Sequence, residues 1–248
     1  MTAENPFPIE RGLKQEDLVL IPQSLFSDNH SQEGLEARQR WTAKRNKGEL
    51  RGFVRCSDAR LKTIGEGSVS LGNIAAATQP SISLVSDRGL ESLTVLSHID
   101  GETIKTREMP TGCGGLAAKE KIGNSHHEEG VSKYVSETIF SKDPVIQSIV
   151  TAEKLAYSSQ GKPVLAATQD HLDYTIYPIA YFQLVRGQMT SVTSVRNEDI
   201  ARYNPERIYE NGMPTIEEGL LPPLFQEMLE ENRREVRGIF EKYPDLKR

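Results

Sequence analysis

One short stretch constrains this chain more than any other: Phe53-Val54-Arg55-Cys56-Ser57-Asp58-Ala59-Arg60. Apolar residues lead into a thiol, and an acid and a base follow at alternate positions. Leu50–Cys56 reads as a strand, which sets Cys56 at its end and Asp58 and Arg60 in the loop beyond. In open α/β sheets, the loops at strand ends are where ligands bind. A thiolate there can hold a metal or attack an electrophile. Arg60 can pair with Asp58 through charge-assisted hydrogen bonds that keep the carboxylate ionised and directed. Taken alone, the stretch equally admits a buried apolar Cys56 beside a surface ion pair.

The remaining elements read as strands and helices arranged around it. Ser31 can cap a helix that runs to about Lys47 and stops at Gly48, with Leu35 and Trp41 as its main apolar residues. Gly67–Leu71 is a second strand. Asp87 can cap a short helix, Gly89–Leu96, with Leu90, Leu93 and Val95 or Leu96 facing inward. Thr103–Met109 is too polar for a strand buried on both faces. Thr111-Gly112-Cys113-Gly114-Gly115 reads as a tight turn entering a helix that ends at Gly123. Asp143-Pro144 signals another helix start, with the helix reaching Ser158 or so. Pro163–Thr168 and Thr175–Val185 are two more strands, joined through Gln169–Tyr174. Past Gly187 the chain turns polar until a final helix, Leu224–Tyr243. Its stripe of Leu224, Phe225, Met228, Leu229, Val236, Phe240 and Tyr243 is a docking face for the same fold or for a partner subunit.

The class expected from this order is α/β, with a central, mostly parallel β-sheet flanked by helices. An N-terminal arm (1–30) precedes the α/β domain (31–187), and a C-terminal helical extension (188–248) follows it. Hydrophobic residues make up 37% of the 248 and charged ones 26%, enough for a core under a well-charged surface. The net charge of -5 is spread without blocks, which argues against nucleic acid as a partner. No run is long and apolar enough for a bilayer, and the N-terminus has no signal-like pattern, so a cytoplasmic protein with no membrane partner is expected. Two cysteines do not make a disulfide framework. Cys56 and Cys113, each in a loop between elements, are instead a pair of zinc ligands in prospect.

Cys-Ser-Asp-Ala-Arg (56–60), followed downstream by Thr-Gly-Cys-Gly-Gly-Leu-Ala-Ala (111–118), resembles the β-class carbonic anhydrase family. That family carries Cys-x-Asp-x-Arg and then His-x-x-Cys-Gly. Gly72-Asn73 resembles its Gly-Asn after the second strand, and Gly89–Leu93 is similar to its Ser-Leu-Glu-Tyr helix. The likeness covers roughly Leu35 to Phe182. It implies a zinc lyase that interconverts carbon dioxide and bicarbonate, with a pocket completed across a homodimer or higher homo-oligomer. It also implies that Asp58 accepts a hydrogen bond from the zinc-bound water while Arg60 holds Asp58 off the metal.

Counting back three from Cys113 reaches Pro110, where the family has its zinc-binding histidine. The metal set expected on that count is Cys56, Cys113 and Asp58, with Asp58 and Arg60 as the catalytic pair. Two thiolates and a carboxylate would make the site anionic and its water less acidic. His98, His126, His127, His171 and His30 are weaker ligand candidates. Two other readings remain: a zinc enzyme acting on a different small electrophile, and a metal-free homologue with a binding or scaffold role.

Overall fold

The computed structural model describes residues 32–56, 68–73, 89–99, 143–202 and 204–244. Two compact units divide the chain, Met1–Ala43 and Lys44–Arg248. In the first lies most of helix α1 (Gln32–Lys47), whose Glu36 and Arg40 form an exposed ion pair one turn apart. Gly48 ends this helix with a positive φ of 74°, as the glycine stop predicts.

The second unit is organised by strand β3 (Leu90–Ile99), in which every residue but Glu91 is buried. A strand covered on both faces must be apolar almost throughout, and Leu-Thr-Val-Leu at its middle meets that demand. It belongs to a six-stranded sheet with β1 (Leu50–Cys56), β2 (Ser68–Asn73), β4 (Val164–Asp170), β5 (Ile176–Val185) and β6 (Gln188–Thr193). The order across the sheet is β2-β1-β3-β4-β5-β6. The first four strands run parallel, β5 runs antiparallel to them, and β6 pairs antiparallel with β5. The mostly parallel sheet is therefore as expected. Gly52 lets β1 and β3 approach closely, since a Cβ there would lie 2.8 Å from Leu93 Cδ2.

Gly89–Leu96 is a correction. The sequence expectation was a helix, and the structure places Leu90–Leu96 in strand β3, with Gly89 in the turn before it. Leu90, Leu93 and Leu96 fit a helical spacing, but a short apolar run buried on both faces satisfies a strand equally well, and periodicity cannot separate the two. The central place therefore belongs to 90–99; the polar stretch 103–109 lies outside the described residues. Strand β6 was not expected either. It is a polar edge strand, closed onto β5 by the turn Arg186-Gly187, both residues at positive φ as a two-residue hairpin requires.

Helices cover both faces. Helix α2 (Pro144–Ser158) begins where Asp143 Oδ1 accepts the backbone N–H groups of Val145 and Ile146, at 2.9 and 3.2 Å. It packs Val145, Ile146, Ile149, Ala152 and Leu155 against β3, β4 and β5. Two short helices, α3 (Asn197–Arg202) and α4 (Pro205–Ile208), lead toward α5 (Pro223–Lys242). On the opposite face, Phe225, Met228 and Leu229 of α5 join Phe53, Leu96, Leu165, Ala167 and Tyr181 in one cluster. Thr94 Oγ1 meets Met228 Sδ at 3.6 Å there, and Arg51 of β1 pairs with Glu231. The C-terminal stripe thus docks on the chain's own sheet. No helix among the described residues is long and apolar enough to cross a membrane.

Candidate functional site

The strand order fixes where a cleft can form. From β1 the chain moves to β2 on one side, then returns past β1 to β3 on the other. Connections that leave two neighbouring parallel strands in opposite directions leave a crevice at their carboxyl ends, and ligands of open α/β sheets bind in that crevice. Here the two strands are β1 and β3.

Cys56 is the last residue of β1 and pairs with Asn73 of β2 on its outer side. On the inner side, the last β1–β3 pair is Arg55 with Leu96. One step further along each parallel strand, Cys56 stands level with Ser97, and His98 is the next residue. The same edge continues into β4, where His98 pairs with Gln169 and Ile99 with Asp170. The backbone thus brings Cys56 and His98 to adjacent strand ends at the switch point.

His98 is almost fully buried, at 1% exposure. Its Nδ1 lies 2.7 Å from Nε2 of His171, with the two rings edge to face at 4.7 Å between centroids. His171 opens the turn after β4, and its backbone N–H donates to Ile99 O at 3.0 Å, extending the β3–β4 ladder by one rung. That turn is held at each step. Asp170 Oδ1 accepts the Leu172 N–H at 2.8 Å, and Asp173 Oδ1 accepts the Thr175 N–H at 2.8 Å. Such Asx turns are why Asp-x-x-Asp suits a tight reversal. Gln169 Nε2 donates to Tyr174 O at 3.0 Å, and Asn232 of α5 accepts the Ile176 N–H at 3.1 Å. Beside the turn, the Tyr177 hydroxyl donates to Asp173 Oδ2 at 3.2 Å. Burial, and then the Asp173 carboxylate, push Tyr177 up to about 12.

Of the residues singled out from the sequence, the structure places the backbone of Cys56 and both rings of His98 and His171. The Cys56 side chain, Asp58, Arg60, Pro110, Cys113, His30, His126 and His127 lie outside the described residues. Among the described residues, no three histidine, cysteine or acidic side chains gather as a metal site. The strand that runs beside β1 is 90–99, and the imidazole near its end is His98; Pro110 and Cys113, on which the count rested, lie outside the described residues. Reading 89–96 as a helix left His98 among the weaker candidates. The β-branched Thr94 and Val95, followed by Ser97-His98, were the signal that could have revealed it.

No protein-family model matches the chain, and no curated protein matches it. Similar solved structures include three β-carbonic anhydrases. One, of the tetrameric enzymes from the ascomycete Sordaria macrospora, is 15% identical with a TM-score of 0.34, over 68% of this chain and 98% of that one. The enzyme CafA of Aspergillus fumigatus is 14% identical with a TM-score of 0.36, over 82% and 100% of the two chains. The Coccomyxa enzyme, solved with acetazolamide, is 9% identical with a TM-score of 0.37, over 74% and 95%.

Proposed function

We propose that the carboxyl edge between β1 and β3 is a zinc site of the β-carbonic-anhydrase kind, held by Cys56, His98 and Cys113, at which carbon dioxide and bicarbonate interconvert. The observation that carries this reading is the register that sets Cys56 and His98 at neighbouring strand ends on the switch point. Thiolate and imidazole donors form the set that suits zinc. The one side chain of the set that is described supports it: His98 is buried, and its Nδ1 is engaged by His171, which leaves Nε2 as the nitrogen to face a metal.

Charge favours this set over Cys56, Cys113 and Asp58. Two thiolates and a neutral imidazole balance a divalent ion, whereas a carboxylate in place of the imidazole leaves the site anionic. Asp58 then keeps the role that the resemblance implies, accepting a proton-bearing hydrogen bond, while Arg60 holds its carboxylate in place. When bound, zinc supplies Lewis acidity that makes a water molecule ionise near neutral pH. Residues 99–112 stand between His98 and Cys113 where the family's motif has two. A homo-oligomer in the cytoplasm completes the proposal.

Metal analysis and stopped-flow carbon dioxide hydration test it together. Zinc stoichiometric with the chain and measurable hydration are expected. His98→Gln and Cys113→Ser should each strip most of the zinc, and Asp58→Asn should keep zinc while losing hydration. Loss of zinc in Asp58→Asn with retention in His98→Gln would restore Asp58 as the ligand. Zinc without hydration would point to another small electrophile, and protein free of zinc after expression in zinc-supplied cells would point to a binding or scaffold role.

A further inference from the structure

The contact between His98 and His171 reaches beyond the ligand set. A histidine that binds metal through Nε2 must carry its proton on Nδ1, and the partner of that N–H decides both the tautomer and the plane of the ring. We propose that His171 is the positioning residue for His98: its Nε2 accepts the Nδ1–H of His98, holding His98 in the tautomer whose Nε2 presents a lone pair to the cleft. The inference rests on the zinc reading above for its purpose, and on the described geometry for its substance.

Three observations support it. The 2.7 Å separation joins Nδ1 of one ring to Nε2 of the other, so one of the two nitrogens donates and the other accepts. If His98 binds metal through Nε2, its Nδ1 must be the donor and His171 the acceptor, with the His171 proton on its own Nδ1. The acceptor is also held firmly. The His171 N–H is tied to Ile99 O, and the next residues are fixed by Asp170 and Asp173. A ring on so pinned a turn can hold its neighbour within the narrow angular range that a metal site needs. Finally, the edge-to-face packing at 62° restrains rotation of both rings.

The assignment makes the β4–β5 turn part of the site, although it is distant in sequence from both cysteine motifs. Three variants test it: His171→Phe keeps the ring packing without an acceptor, His171→Gln restores an acceptor oxygen, and His98→Gln removes the ligand itself. In wild-type apoprotein, nitrogen-15 correlation of the imidazoles should show His98 protonated on Nδ1 and bare on Nε2. In His171→Phe a mixture of tautomers should appear. Zinc affinity, measured by competition with a chromophoric chelator, should fall about 10- to 100-fold in His171→Phe and recover most of that loss in His171→Gln. Thermal unfolding of the apoproteins should barely distinguish the two.

An Nε2-protonated His98 in the wild type, or a His171→Phe variant with wild-type tautomer and wild-type zinc affinity, would overturn the assignment. If the wild type takes up no zinc, the site reading fails by itself, and the tautomer comparison still decides whether His171 sets the His98 ring.

Discussion

Asp143 is fully buried, yet its carboxylate is satisfied by the first N–H groups of α2 and by the Tyr209 hydroxyl, 2.9 Å from Oδ1 and 2.8 Å from Oδ2. A buried carboxylate is tolerated only with such partners. Tyr209→Phe should therefore cost about 1–3 kcal/mol in urea unfolding; an unchanged midpoint would mean that the hydroxyl is dispensable. The sequence showed half of this arrangement. Asp143-Pro144 announces a helix start through local chemistry, whereas Tyr209 lies far along the chain and carries no mark of its partner. His98 ranked only among the weaker candidates for a related reason. A lone histidine after an apolar run acquires meaning only when the neighbouring strand is known, and that is set by long-range register.

Elements divide into those that local rules specify and those that the tertiary environment decides. Helix α2, strand β1 and the β4–β5 pair followed from caps, alternation and turn residues. Strand β3 did not, because burial on both faces erases the alternation by which strands are recognised. The β4–β5 turn also sets a limit at high pH. The folded value for Tyr177 is raised from 10.0 to about 12, so the protonated phenol is favoured by the fold. Its contribution is fully present below pH 10 and is lost as pH rises through about 12. Ultraviolet titration should show a late-ionising tyrosine phase that Tyr177→Phe removes; retention of that phase would assign it elsewhere.

Helix α5 is held mainly by its apolar stripe. Phe225→Ala should cost about 3–5 kcal/mol by denaturant unfolding, because Phe225 is completely buried against the sheet. The Glu218–Arg233 pair contributes far less. The Arg233 guanidinium, through its hydrogen bond, holds Glu218 below its ordinary value, so the contribution is present at neutral pH and lost as pH falls through that lowered value. Both side chains are about 40% exposed, and solvent screening limits the pair to under about 1 kcal/mol. Glu218→Gln should shift the unfolding midpoint only slightly at pH 7, and less still in acid.

At the scale of the molecule, the strand order places the crevice between β1 and β3, and the docked C-terminal helix closes the far face of the sheet. The α/β class was readable from the order of strands and helices, and the end of β1 at Cys56 from the apolar run that closes on a thiol. Which histidine lies on the strand next to β1 was not, because it depends on the strand order that sets β3 against β1. Zinc-edge X-ray absorption of the purified protein, compared with His98→Gln, tests the central claim most directly. The account predicts two sulfurs at about 2.3 Å and an imidazole nitrogen at about 2.0–2.1 Å, with the imidazole signal lost in the variant. A zinc shell without imidazole in the wild type, or one unchanged by His98→Gln, would contradict it.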